Sequence, residues 1–186
     1  MRNPFPLLFL ILLGCSDNTS KAGVKTLDFG FFTMETPISW TKINLQGIDS
    51  YIGAIIIDRA DTLQFDLGPF ANTLTEERPP IIDSSTLRYM TKPFDTSYYI
   101  IVKDHRNVDE DKYKKQNISW DTIDGYVTKI IQPMRSGQGI TGIYIDSLWI
   151  ERADIQRFNL YGKNLTPKNE KTFLQAVRTL KFKRQK

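Results

Sequence analysis

The chain is predicted to be an α+β domain: an antiparallel β-sheet with a C-terminal helix packed on one face. Three observations predict this. The dominant hydrophobic period from Leu27 to Tyr161 is two. Turn signals punctuate that stretch, among them Arg59-Ala60-Asp61 and Asp124-Gly125. One segment carries a helical period, with Phe173, Leu174, Ala176, Val177 and Leu180 on a single face.

The elements follow in order. Phe29 to Met34 is β-rich with apolar groups on both faces, which predicts a strand covered on both sides. Thr36-Pro37 ends it, and Trp40 to Leu45 is a shorter strand. Ser50–Ile57 and Leu63–Leu67 predict a hairpin, with Leu63, Phe65 and Leu67 on one face. Gly68 to Pro93 interrupts the pattern with Pro69, Pro79, Pro80 and Pro93 and has no periodicity. Connections of this length are often functional or disordered. Tyr98 to Lys103 resumes strand, Asp104 to Lys115 is a charged exposed loop, and Ile118 to Thr122 is a short strand. Asp124-Gly125 turns the chain into Tyr126–Gln132. Ile143–Ile150 and Arg157–Tyr161 complete the meander. The helix runs from Pro167 to about Thr179, with Thr166 as N-cap and Pro167 at the first helical position. Lys181-Phe182-Lys183 alternates as a closing strand.

The length of 186 residues suits one domain, enough to bury roughly 70% of the unfolded chain's surface. Residues 27–186 are read as that domain. Met1 to Gly14 (MRNPFPLLFLILLG) places one basic residue, Arg2, before an apolar stretch too short to span a bilayer, the pattern of a secretory signal peptide. Leu12-Leu13-Gly14-Cys15 resembles the lipobox of bacterial lipoproteins. The resemblance implies removal of residues 1–14, a diacylglycerol on the Cys15 sulfur and an acyl chain (palmitate is typical) on the new amino group. Ser16, where that family's inner-membrane proteins carry Asp, points toward the outer membrane over the inner. Residues 15–26 are then the lipidated cysteine and a flexible tether. Cys15 is the only cysteine, which removes disulfides, zinc–thiolate sites and a cysteine nucleophile.

Without Arg2, 24 basic residues face 21 acidic ones. That balance gives no stripe for nucleic acid. Lys181, Lys183, Arg184 and Lys186 cluster at the end, either as a solvated tail or as a contact for an anionic surface.

Two stretches resemble the PsbP/Mog1-like fold family. Phe29–Met34 running into Pro37-Ile38-Ser39-Trp40 is similar to its opening strand, and Phe173-Leu174 to Phe182 is similar to its last helix and strand. The resemblance implies an accessory or chaperone-like, membrane-tethered protein. The family usually has a further helix where this chain has its Pro-rich segment.

Residues of the types that carry chemistry are few. Gly137-Gln-Gly139-Ile-Thr-Gly142 matches G-x-G-x-x-G, but a strand follows it where a dinucleotide site needs a helix, so a Gly-rich hairpin turn is expected. His105 is the only histidine and lies in the charged loop, where an exposed side chain is expected. Asp104, Asn107, Asp109, Glu110 and Asp111 lack EF-hand register. Trp40, Trp120 and Trp149 are expected in the core, with Tyr98, Tyr99 and Tyr144 half exposed. Two readings of residues 69–93 stay open: a lid folded over its own sheet, or a partner contact carried by Pro79, Pro80, Ile81, Ile82 and Tyr89.

No catalytic residues, metal ligands or cofactor are assigned beyond the lipid on Cys15. The sequence predicts a membrane-anchored envelope lipoprotein, facing the periplasm or outward. It would act without catalysis as an accessory or binding module for another envelope protein. The alternatives are an immunity-type lipoprotein that neutralises a toxin, or an envelope hydrolase.

Overall fold

A computed structural model describes residues 23–90 and 95–183. The signal segment, Cys15, most of the tether, Pro93, Arg184 and Lys186 lie outside the described residues. The described residues form twelve strands and one α-helix: β1 (Val24–Asp28), β2 (Phe32–Pro37), β3 (Thr41–Asn44), β4 (Tyr51–Ile56), β5 (Thr62–Gly68), β6 (Ile81–Asp83), β7 (Ile100–Val102), β8 (Gln116–Ile123), β9 (Tyr126–Pro133), β10 (Ile140–Glu151), β11 (Asp154–Lys163), α1 (Pro167–Ala176) and β12 (Lys181–Phe182). A single 3-10 turn, Val177–Thr179, extends α1.

The main sheet is antiparallel, in the order β3-β4-β5-β11-β10-β9-β8. A smaller antiparallel sheet, β1-β2-β12, packs with α1 on the inner face of the main one. This is the α+β class read from the periodicity. The shared core holds Phe32 and Met34 of β2, Ile55, Leu63, Phe65, Ile143, Phe158 and Leu160 of the main sheet, and Phe173, Val177 and Leu180. Phe32 lies at the centre, stacked 4.7 Å from Phe29 and 5.0 Å from both Phe65 and Phe158. Such ring pairs add about 0.5–1.5 kcal/mol each beyond area burial.

Three predicted elements are corrected. The strand read over Phe29–Met34 is a hairpin, because Asp28 accepts the Gly30 N–H at 2.8 Å and turns the chain before β2. Val24 to Thr26, read as tether, belong to β1 and pair with Pro37 to Glu35. The strand at Tyr98–Lys103 is outside the meander, since β7 pairs with β6 in a separate parallel ribbon.

The helix starts at Pro167 as predicted, but Thr166 does not cap it through its own side chain. Asp61, in the β4–β5 turn, does the anchoring instead. Its Oδ2 accepts the Thr166 N–H at 2.9 Å, the Thr166 hydroxyl at 3.0 Å and Asn169 Nδ2 at 2.6 Å.

Candidate functional site

The Pro-rich interruption divides into two parts with different roles. The first, residues 69–77, crosses the outer face of the main sheet from β11 to β8. Side chains of successive strands hold its backbone: Arg157 donates to the Pro69 carbonyl, and Asn159 Nδ2 to Asn72 O at 2.9 Å. Lys129 Nζ donates to Thr73 O at 3.0 Å and Thr75 Oγ1 at 2.7 Å. Gln116 donates to Leu74 O at 2.9 Å and accepts the Glu76 N–H at 2.9 Å. Leu74 packs on Ile131 and Tyr144 in a second, smaller core. Gly142 permits that approach, because a Cβ there would meet Leu74 Cδ1 at 2.9 Å and Tyr161 Cβ at 2.7 Å. This strap is the lid reading. Burial pulls the Lys129 ammonium below its ordinary range, since the charge has left water.

The second part, residues 78–90 and 95–115, leaves the main sheet. Ile81–Asp83 and Ile100–Val102 form the parallel ribbon, continued by Ile100 N–H to Pro80 O at 2.9 Å and Ser84 N–H to Val102 O at 2.8 Å. Pro79, Ile81 and Ile82 are half-buried, Pro80 is exposed, and Tyr89 is 83% exposed. Tyr98 and Ile101 are also exposed, at 64% and 41%. Asp83 closes the ribbon onto the charged loop by accepting the His105 N–H at 2.6 Å and meeting His105 Nδ1 at 2.5 Å. The His105 side chain and then its backbone N–H hold the Asp83 carboxyl below the usual carboxylate range. Asp95, Asp104 and Asp109 each accept an N–H two residues on and begin a one-turn 3-10 segment, which is why this Asp-rich loop is ordered locally.

Asp83, Asp104 and His105 each offer a ligand atom, all within 4.8 Å of one another. Asp104 is engaged by the Arg106 guanidinium at 3.0 Å, and Asp83 by His105, so the cluster works as a hydrogen-bonded clasp. Gly137 and Gly139 have φ of 84° and 115° and turn β9 into β10, while Gly142 lies inside β10. The motif is the hairpin turn predicted. Beside this turn an open groove of about 490 Å³ is lined by Lys112, Tyr113, Lys115, Arg135, Met134 and Glu76. Lys181 and Lys183 are paired, with Asp124 at 2.9 Å and Asp28 at 2.7 Å.

Trp40 is buried and Trp149 half-buried, but Trp120 is 64% exposed because β8 is an edge strand and Trp120 sits on its outer face. Tyr144 is buried under the strap rather than half exposed. Burial and then its hydrogen bond to Asp146 push the phenol up to about 12. Tyr98 is exposed and Tyr99 half-buried. Of the strap's anchors, Lys129 gave one weak signal in the sequence, a charged residue beside the apolar Ile130 and Ile131, while Gln116 and Asn159 gave none.

No family model matches this chain. No curated protein matches it either. Among solved structures it is similar to cyanobacterial PsbP (CyanoP) from Synechocystis, determined in solution. The identity is 13%, the likeness covers 92% of this chain and 99% of that one, and the TM-score is 0.38. The α+β class rests on the strand pairing itself, and that likeness adds nothing about function.

Proposed function

We propose that this chain is a lipid-anchored lipoprotein of the cell envelope that binds an envelope protein without catalysis, through the excursion formed by residues 78–90 and 95–102. The carrying observation is exposure: the excursion stands outside the main sheet and presents Tyr89, Tyr98 and Ile101 to solvent. A contiguous exposed apolar patch marks an interaction site, and Tyr98 packs on Tyr99 with ring centroids 5.7 Å apart. Pro79, Pro80, Ile81 and Ile82 give this ribbon its shape, and Tyr89 is its most exposed aromatic side chain. Leu12-Leu13-Gly14-Cys15 supplies the anchor, and eight residues (16–23) separate Cys15 from β1. At ~3.3 Å each they reach roughly 26 Å, which holds the domain close to its membrane, the outer membrane favoured by Ser16.

The test is crosslinking of the full-length chain in cells, purification and mass spectrometry. One strongly enriched envelope protein, lost with Tyr89→Ala plus Ile101→Ser, is the expected result; if that protein is a toxin, the module is an immunity protein. Enrichment that survives both substitutions overturns the assignment to the excursion. Separately, Cys15→Ala should leave the membrane fraction and take up no labelled fatty acid. Retention in the membrane would remove the anchor.

A further inference from the structure

The two edges of the main sheet are built differently. β3 is four residues long, and Lys42 lies on its core side, with Nζ 5.5 Å over the Phe29 ring and bonded to Asp28 O at 2.5 Å. A short strand with an inward-pointing charge is a protected edge. β8 is twice that length. It runs eight residues in unbroken register with β9 and contains no Lys, Arg, Pro or Gly. Its other edge has no strand partner among the described residues. Its single charge, Asp121, is paired with Arg178. Residues 117–120 and 122 are exposed, and the outer face carries Ile118 at 46% and Trp120 at 64%.

We propose that β8 is a self-association edge: two copies of this chain pair antiparallel through Asn117–Asp121, about a two-fold axis at Ser119. The side-chain order supports that register. A two-fold at Ser119 sets Ile118 against Trp120 of the second copy, twice, on the outer face. On the inner face it sets Asn117 against Asp121. Aromatic–aliphatic cross-strand pairs of this kind are favourable. Lys114, Asp121 and Asp124 are already paired within each copy, with Asp111 at 2.9 Å, Arg178 and Lys181 at 2.9 Å, so an antiparallel pair sets no uncompensated like charges of these three against each other. The surface is distinct from the excursion, so it stands or falls apart from the proposed function.

The test uses the full chain in cells, oxidised and run on a non-reducing gel. The wild type, with Cys15 its only thiol, sets the background. Cα atoms facing each other across an antiparallel pair are ~4.5–5.5 Å apart, within disulfide range. Ser119→Cys should therefore give a disulfide-linked homodimer. Asn117→Cys should not, because its two copies would be some 13 Å apart at ~3.3 Å per residue. Ile118→Lys and Trp120→Lys, both at exposed positions, should each cut the Ser119→Cys crosslink at least ten-fold and leave the circular dichroism unchanged. A crosslink from Asn117→Cys equal to that from Ser119→Cys overturns the register. No homodimer above background, or a Ser119→Cys adduct with a different protein only, overturns the proposal.

Discussion

Asp61 and Thr166 are 105 positions apart, yet one carboxylate oxygen of Asp61 accepts both the N–H and the hydroxyl of Thr166. The same oxygen takes Asn169 Nδ2, and Asp58 Oδ2 takes that amide as well, at 2.6 Å. The β4–β5 turn therefore fixes where α1 begins and docks it on the core. Asp61 is 6% exposed, and its removal takes the carboxylate acceptor from the Thr166 N–H and hydroxyl and one of two acceptors from the buried Asn169 amide.

Asp61→Ala should thus destabilise the domain by about 2–3 kcal/mol. Asn169→Ala should cost less, since Thr166 keeps its acceptor. The midpoint of urea unfolding checks both. Equal midpoints for wild type and Asp61→Ala would mean that α1 is held by its apolar face alone.

The strap gives a second prediction. Lys129→Ala deprives Thr73 O and Thr75 Oγ1 of their donor and should cost about 1–3 kcal/mol. Hydrogen exchange at residues 72–76 should rise more than exchange elsewhere. The folded state lowers the Lys129 pKa, so the unfolded chain binds the proton more tightly. Stability from this group therefore rises with pH between the lowered value and the ordinary 10.5. Lys129→Met should lose that rise.

The Asp83–His105 clasp should respond to acid. The carboxyl is held below its ordinary 3.8, so the unfolded chain binds the proton first as pH falls. Its contribution is present above that ordinary value and is lost as pH drops through the lowered one. Amide exchange at His105 should accelerate in that window, and Asp83→Ala, which removes the acceptor, should show the fast rate at every pH.

Much of this fold is legible in the sequence, because it follows from local periodicity. Leu63, Phe65 and Leu67 alternate and are buried; Phe173, Val177 and Leu180 repeat helically and are buried. What was hidden depends on contacts far apart in the chain. Whether Trp120 faces core or solvent depends on β8 being an edge, which alternation does not encode. Tyr144 is buried by Leu74, 70 positions earlier. The parallel pairing of β6 with β7 brings together three-residue segments, too short to show a period. Of the proposed contact residues, Tyr89 is exposed, while the half-buried Ile81 and Ile82 are partly used in the ribbon itself.

Asp66 and Asn159 are direct cross-strand neighbours on the outer face, and each has a buried side-chain oxygen with no partner among the described residues. Two facing acceptors cannot satisfy each other. Burial raises the Asp66 pKa; a Ser50 hydrogen bond opposes this and the Asp49 charge adds to it. The folded state then binds the proton more tightly than the unfolded chain, so stability falls as pH rises from 3.8 through the raised value. Asp66→Asn supplies a donor at the same size and removes the charge. It should stabilise the domain by about 1 kcal/mol at neutral pH. The gain should shrink as pH falls toward 3.8, where wild-type Asp66 carries its own proton. Urea midpoints of the two proteins from pH 4 to 8 measure this, and parallel curves with no pH-dependent gap would show that Asp66 ionises freely in the folded state.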